Sequence, residues 1–515
     1  MKITLISTST FPADQGLRTL SACLKRAGYN TKMMFLPYSE DYSHVYPEEV
    51  LEQVKQASKD SGLIGLNAMA STSSRAVQLI AMFKTMNIPV IWGGPHPTFF
   101  PKECFKQCDI ICIGEAEEVF IELAGKIEKK QDITSIRNLW VRNDGKEYKN
   151  DVRPAPIDLD VLAHPDYDIE DHLILENDKL MPFEERHIGG MIFFQTQRGC
   201  PLACSYCTNH IMHELYKGKS PILRTHSVDY VIEELSRLKN KFKSIQVFDI
   251  RDETFLVRPL PWIREFSEKY KNHVNIRFKC LAEPASLSAE GISEEKIRLL
   301  VDAGLTDIIV GIQSGSDNIN FNVYKRYIKA EQVIKCAEVL NKFNGKLAVM
   351  YDVMTCNPYE GKEDVLATIN LIRKLPKSFY LSVNNLIFFE GTPLYERALR
   401  DGIIKDGKDS ASDLNYWDRW KHIKLKKKNA YLNLILNMMR GKVTKTRYGS
   451  IPAKLLDKLV SGKSIDFNYK HMFFTSLAGN FVQAADFTRE NIAKPIYRSM
   501  PVSFKLWYDK VRYKA

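Results

Sequence analysis

Apolar and polar positions follow two different periods along the first 130 residues. Short apolar runs at 3–7, 31–36, 63–67, 90–92 and 110–113 read as strands, and stretches of helical period lie between them, such as 17–27, closed by Gly28, and 73–86. Strands that alternate with helices predict a parallel, doubly wound α/β sheet, which binds ligands at the carboxyl ends of its strands. Those ends carry Thr8-Ser9-Thr10, the run from Ala68 to Thr72 with Ser71 in it, Gly93-Gly94-Pro95-His96-Pro97-Thr98 and Gly114-Glu115-Ala116-Glu117. Small residues there let a flat ligand approach the backbone.

The pattern loosens between 131 and 189. Asn143-Asp144-Gly145-Lys146 reads as a hairpin turn and Arg153-Pro154-Ala155-Pro156 as an extended linker, so this stretch is expected to join and wrap two domains. A second strand and helix series begins at Gly190. Its strands are expected at 191–196, 244–248, 275–279, 307–311, 346–351 and 379–388, separated by helices near 228–238, 261–270, 293–303, 330–343 and 362–375. Six such units suit a partial barrel of the TIM type, with its site at the carboxyl ends of the strands.

The first of those strand ends carries the most specific chemistry of the chain. Arg198-Gly199-Cys200-Pro201-Leu202-Ala203-Cys204-Ser205-Tyr206-Cys207 spaces three thiols as C-x-x-x-C-x-x-C. Three soft thiolates this close select an iron-sulfur cluster, zinc or copper(I), and a four-iron cluster held by three cysteines keeps one iron open for an outside ligand. The competing reading is a structural zinc site completed by His210.

The spacing, with an aromatic residue before the last cysteine, resembles the signature of the radical SAM enzymes. That resemblance implies that Cys200, Cys204 and Cys207 hold a 4Fe-4S cluster beside Tyr206, and that S-adenosylmethionine chelates the open iron and is cleaved to a deoxyadenosyl radical. It also implies a low-potential electron donor such as ferredoxin or flavodoxin. Later strand ends fit the same family. At Phe248-Asp249-Ile250-Arg251-Asp252-Glu253, either Asp252 or Glu253 is expected to accept from the methionine amine. At Gly311-Ile312-Gln313-Ser314-Gly315-Ser316, Gln313 and Ser314 are expected near ribose and carboxylate. Gln313 stands where many relatives carry Glu. Asn357-Pro358-Tyr359-Glu360 and Phe389-Glu390-Gly391-Thr392-Pro393 follow at the fifth and sixth ends.

In the first domain, the Gly93-Gly94 and Gly114-Glu115 loops resemble the cobalamin-binding domain that precedes the barrel in one large radical SAM subfamily. Thr10, Ser71, Gly93, Gly94, His96, Gly114 and Glu115 are then expected around cobalamin, with His96 only lining the pocket. No Asp-x-His-x-x-Gly occurs in this segment, so cobalt is not expected to be held by a histidine of that motif. The alternative is a domain that keeps the fold and binds nothing. Of the remaining cysteines, Cys280 and Cys336 read as small apolar core residues, whereas Cys356 at a strand end is a candidate for relaying a radical.

Composition bounds the picture further. The 515 residues hold 44% apolar residues and ten cysteines, and no apolar stretch reaches the ~18 residues of a membrane span. Cytoplasmic location without disulfides is expected. From Trp417 to Ala515 there are 21 Lys and Arg against 6 Asp and Glu, although the whole chain is only +11. This basic tail includes Lys424 to Lys428, the apolar run 431–439, Phe473-Phe474 and an aromatic end at 504–513. It suits either peripheral contact with an anionic membrane and a lipid substrate, or a helical cap on the barrel. Nucleic acid is not expected, because no recognition motif accompanies the charge.

The expected organisation is a Rossmann-like cobalamin-binding domain (1–130), a linker and interface segment (131–189), a radical SAM partial (β/α)6 barrel (190–402) and a basic, mostly helical region (403–515). By resemblance the reaction is methyl transfer to an unactivated carbon of a small-molecule or lipid substrate, through a deoxyadenosyl radical and methylcobalamin. Radical rearrangement, oxidation or ring closure is the alternative within enzymes, and a cobalamin or redox sensor the alternative outside them.

Overall fold

A computed structural model describes residues 1–9, 12, 14–38, 44–288, 291–405 and 427–465. The first sheet contains β1 (Lys2–Ser7), β2 (Asn30–Phe35), β3 (Leu63–Asn67), β4 (Val90–Gly93), β5 (Ile110–Cys112), β6 (Leu139–Asn143), β7 (Lys146–Lys149), β8 (Leu173–Glu176) and β9 (Lys179–Pro182). Their spatial order is β7-β6-β5-β4-β3-β1-β2-β8-β9. Strands β5 to β2 of that order are parallel; helices Gln15–Arg26, Glu48–Ser58, Ser73–Lys84 and the pair Pro95–Phe99 and Pro101–Gln107 cross over between them, and Glu117–Glu128 follows β5. Apolar runs such as Ile3, Leu5 and Ile6 are buried because helices cover both faces. The strand order reverses between β3 and β1, so a crevice opens at their carboxyl ends.

The segment 131–189 does more than link. Its hairpin β6–β7, with Asn143 facing Lys146 across the expected turn, pairs antiparallel with β5 and closes one edge of the sheet. The hairpin β8–β9 pairs with β2 and closes the other. Four- and five-residue strands have too few alternating positions to be read before the pairing is known.

The second sheet contains β10 (Met191–Phe194), followed, beyond a two-stranded ribbon of β11 (Gln197–Arg198) and β12 (Arg224–Thr225), by β13 (Val247–Ile250), β14 (Arg277–Ala282), β15 (Leu305–Gln313), β16 (Ala348–Thr355) and β17 (Phe379–Asn385). These six strands are parallel in chain order, and β10 and β17 do not pair, which leaves the barrel open. Phe248, Ile250, Phe278, Cys280, Ile308 and Val310 face outward into one core beneath the helices.

The described part of the basic tail belongs to this barrel. Strands β18 (Gly441–Val443), β19 (Arg447–Tyr448) and β20 (Ile451–Pro452) extend the sheet antiparallel from β17, and helices Lys427–Met438 and Ala453–Leu459 flank them. Tyr431, Leu432, Ile435, Leu436 and Met439 are buried in the barrel core. This corrects the membrane reading for the run 431–439, whose apolar face the barrel already covers. Lys424, Lys426, Phe473, Phe474 and 504–513 lie outside the described residues, and no described helix is long and apolar enough to cross a membrane.

Asn433 is the polar clamp of this cap. Its Oδ1 accepts from the Thr355 hydroxyl (2.5 Å) and from the Cys356 amide (2.9 Å), and its Nδ2 donates to the Asn429 carbonyl (2.8 Å). Replacing Asn433 by Leu strands two buried donors, and is expected to cost about 2–4 kcal/mol. In urea unfolding, Asn437→Leu, which removes only one half-buried bond to the Asn433 carbonyl, should cost less than half as much.

Candidate active site

The cysteine loop is fixed before any metal is considered. It leaves β11 and returns in β12, so that a short antiparallel ribbon closes the excursion. Gly199 has φ of +90°, and a Cβ there would overlap the Ile222 carbonyl, so glycine is required immediately before Cys200. Ser205, between two of the cysteines, donates its amide to the Tyr324 carbonyl (2.9 Å) and its hydroxyl to the Val323 carbonyl (2.6 Å). Its own carbonyl accepts from the Leu394 amide (2.9 Å). Tyr206 packs edge-on to Tyr324, with ring centroids 4.9 Å apart. His213 Nε2 lies 2.7 Å from the Cys200 carbonyl oxygen.

The thiols themselves are crowded and largely dry. Burial pushes Cys200 up to about 12 and Cys207 up to about 11, with Glu253 and the neighbouring cysteines adding in the same direction. Thiolates in this loop therefore need positive charge beside them. One source is Arg326, buried with Nη1 4.0 Å from Cys204 Sγ and Nη2 2.7 Å from the Gly311 carbonyl oxygen. The rest would come from iron. Among the described residues, no three His, Cys, Asp or Glu side chains converge on one point as the ligands of a single metal ion do. A cube-shaped cluster binds each cysteine at a separate corner.

A cavity of about 580 Å³ runs from this loop to the crevice of the first sheet. Asn67, Met69, Gly93, Gly94, Gly114 and Glu115 line it from one domain; Phe193, Arg198, Asn209, His213, Arg251 and Glu253 line it from the other. Gly94 (φ +90°) and Gly114 (φ +80°) are left-handed, and a Cβ would overlap Asn67 Oδ1 at the first and the Tyr216 hydroxyl at the second. Gly93 has room, its nearest neighbour being Cys112 Cβ at 3.7 Å.

Residues 194–372 match the radical SAM superfamily and residues 1–124 match the B12 binding domain. The chain joins a B12 binding domain to a radical SAM domain. It is 27% identical over 356 residues to an uncharacterized methyltransferase of Pyrococcus horikoshii, covering 67% of this chain and 71% of that one. It is 22% identical over 354 residues to the bacteriochlorophyllide d C-8(2)-methyltransferase of Chlorobaculum tepidum, covering 67% and 70%. Its fold is shared with the cobalamin-dependent radical enzyme OxsB, solved with aqua-cobalamin and S-adenosylmethionine, at a TM-score of 0.65 and 14% identity over 95% of this chain and 75% of that one.

For this radical SAM protein the donor set suits its cofactors: two buried thiols and one half-buried thiol on a braced loop for the cluster, and a glycine-floored crevice for the corrin. Several expected ligands are nevertheless placed elsewhere. Asp252 is fully buried; Oδ1 accepts from the Thr196 (2.6 Å) and Gln197 (3.1 Å) amides, Oδ2 from the Thr196 hydroxyl (2.5 Å), and Arg258 pairs with it at 3.4 Å. It braces the turn behind the cysteine loop and leaves Glu253 facing the cavity. Burial raises the Glu253 carboxyl above its usual range, and the Asp252 charge adds to this.

Ser314 is also turned inward. Its hydroxyl lies 3.3 Å from Thr368 Oγ1 and accepts from the Ser316 amide at 3.1 Å. Gln313 sits at a register shift in β15, with φ of +67° and its amide nitrogen close to Gly311. Neither lines the main cavity.

On the cobalamin side, Gly93, Gly94, Gly114 and Glu115 line the cavity, whereas Ser71 and His96 do not, and Thr10 lies outside the described residues. His96 is buried between Trp92 and Phe100, with centroids 5.4 and 5.0 Å away, so its expected place in the lining is corrected to the core. Glu115 is held by Arg198 Nη1 at 2.8 Å and by Arg224. Cys356 is buried with its thiol pushed up to about 12, and it does not line the cavity.

Sequence reading missed Arg198, Arg224, Tyr216, Arg326 and Met69. Arg198, which adjoins the cysteine motif, and Met69, within the strand-end run from Ala68 to Thr72, carried a signal; the other three did not. Arg198 Nη2 binds Glu117 at 2.5 Å, and Arg198 holds the Glu117 carboxyl below its usual range against the opposing effect of burial.

The two adjacent glycines give a sharp test. Gly94→Ala forces an L side chain into a left-handed conformation, which costs roughly 1–2 kcal/mol before the overlap with Asn67 is counted, so cobalamin affinity should fall about tenfold or more. Gly93→Ala should change it by about threefold or less. Spectroscopic titration of both variants with cobalamin distinguishes them.

Proposed function

We propose that this protein is a cobalamin-dependent radical SAM methyltransferase that acts on an unactivated carbon of a small molecule. The observation that carries the reading is one cavity lined by Gly199 and Asn209 on either side of the cysteines, by Glu253 and by the glycine loops of the B12 domain. A methyl carrier and a radical source held against one space can serve one substrate carbon in turn. The names of the Pyrococcus and Chlorobaculum relatives support methyl transfer.

When bound, the cluster supplies an electron, S-adenosylmethionine a radical precursor and a methyl group, and cobalamin a methyl carrier. The chain's own residues do the holding. Cys200, Cys204 and Cys207 would ligate the cluster, and Glu253 is placed to accept from an ammonium group at the cavity wall. Gly93, Gly94 and Gly114 would admit the corrin to the backbone, while Phe193 and Met69 keep the wall partly apolar, so that water is excluded near a reactive intermediate.

Ring closure is the second reading. It is favoured by the 22% identity over 335 residues to the anaerobic magnesium-protoporphyrin IX monomethyl ester cyclase of Rubrivivax gelatinosus, although the chain covers only 56% of that protein.

The deciding experiment is anaerobic reconstitution with iron, sulfide and cobalamin, followed by incubation with cell extract and methyl-labelled S-adenosylmethionine. Methyl transfer predicts label in a small product together with deoxyadenosine, and Cys204→Ala should abolish deoxyadenosine. Deoxyadenosine without labelled product would favour ring closure, and an undiminished yield from Cys204→Ala would refute the cluster assignment.

A further inference from the structure

The cluster must receive one electron from outside the chain for each radical made, and the structure shows a short route from surface to cysteine loop. Residues 324–329 follow the π-helical turn Ile319–Val323 as irregular backbone, with Lys325 left-handed at φ of +50°, and they alternate in exposure. Tyr324, Arg326 and Ile328 are buried, while Lys325, Tyr327 and Lys329 are exposed, Tyr327 at 71% of its surface. The inward side touches the cysteine loop directly: the Tyr324 carbonyl accepts from the Ser205 amide, the Tyr324 ring packs on Tyr206, and Arg326 reaches Cys204 Sγ at 4.0 Å. One layer of residues therefore separates Lys325, Tyr327 and Lys329 from the cluster cysteines.

The outer side has the chemistry of a docking patch. Neither Lys325 nor Lys329 takes part in an ion pair among the described residues. Arg397 adjoins them by donating to the Asn322 carbonyl at 3.3 Å. The acids nearby are engaged: Asp401 with Arg397 and the Tyr359 hydroxyl, Glu331 with Lys335, and Asp317 with the Ala330 amide. The exposed Tyr327 stands beside the half-buried Phe321 with ring centroids 5.9 Å apart, and Lys325 and Lys329 flank Tyr327 in the chain. Aromatic side chains at the centre of a patch with a charged rim are characteristic of protein interfaces.

We propose that Lys325, Tyr327 and Lys329 form the port at which a small, acidic, low-potential electron-transfer protein docks and passes one electron to the cluster behind Arg326. The donor is oxidised by one electron and the cluster reduced by one, with no bond made or broken in that step. The proposal rests on the cluster assignment made above. Arg326 adds a positive charge next to Cys204, which favours the reduced cluster at this side of the loop.

The test compares two reductants on the anaerobic, cluster-loaded protein, with bleaching of the cluster absorbance as the readout. Reduced flavodoxin is the acidic protein donor, and reduced methyl viologen is a small cation that needs no docking patch. With flavodoxin at low salt, Lys325→Glu with Lys329→Glu should slow reduction by about tenfold or more, a difference that shrinks as salt screens the patch. Tyr327→Ala should slow it at all salt concentrations. Viologen should reduce the same variants no more slowly than the parent. Lys243→Glu with Lys271→Glu, at the amino-terminal end of the barrel, matches the charge change and should leave the flavodoxin rate unaltered.

Should charge reversal prevent folding, Lys325→Gln with Lys329→Gln should still slow flavodoxin alone, by roughly threefold. Equal flavodoxin rates in parent and port variants would overturn the port and leave the cluster assignment standing. Failure of viologen to bleach even the parent would instead overturn the cluster.

Discussion

Arg198 is the residue through which the two halves of the molecule hold each other. It precedes Gly199 and Cys200, yet its guanidinium is spent on Glu115 and Glu117 at the end of a strand in the B12 domain, with Arg224 bound to the same Glu115. Two cations and two carboxylates satisfy one another where neither pair would be affordable alone in so little water. Removing Arg198 would leave Glu117, and removing Glu115 would leave Arg224, buried without its charged partner, so the network fixes the distance between the glycine loops and the cysteine loop. The shared cavity depends on that distance.

A second constraint is backbone strain at the strand ends. Gln313 and Cys356 are non-glycine residues at φ of +67° and +60°, and each ends a barrel strand. Such conformations persist only where the surroundings over-determine them. For Cys356 the surroundings are Asn433, which accepts from its amide, and the capping helix beneath. The tail helix thus supports the carboxyl face of the barrel, on which the cysteine loop lies.

Much of this was legible in the chain. All six barrel strands fell close to the apolar runs read from the sequence, because strands covered by helices on their outer side must present apolar residues there. The cysteine spacing was specific enough to place the site. What failed was the direction of single polar side chains. Asp252 and Glu253 are adjacent, and only the fold turns the first onto Thr196 and the second into the cavity. Ser314 occupies a loop of the expected kind but faces inward, since a short polar group in a turn serves the backbone as readily as a ligand, whereas His96 stands on the short helix Pro95–Phe99 and packs between Trp92 and Phe100. Arg326 gave no signal, because its nearness to Cys204 is a contact across 122 positions of chain. The apolar run 431–439 was ambiguous for a different reason: a barrel and a membrane bury the same residues.

The register of the barrel strands bears on what the site can select. Asp249, Lys279 and Asp307 pair or neighbour across β13, β14 and β15, on the face opposite the core residues Phe248, Phe278 and Ile308. They therefore line the barrel interior. Asp249 binds Arg251 at 2.7 Å, and Lys279 lies 4.0 Å from Asp307, so this row largely neutralises itself. This row lies apart from the main cavity, whose own wall is chiefly apolar. Discrimination then falls to the groups at the cavity wall that retain something to offer. Arg251 is shared between Asp249 and the cavity, Glu253 faces the cavity, and Phe193 lies beneath the Arg251 guanidinium with its ring centroid 5.0 Å away. These three groups, one cationic, one acidic and one aromatic, stand together on the side of the cavity that the barrel contributes.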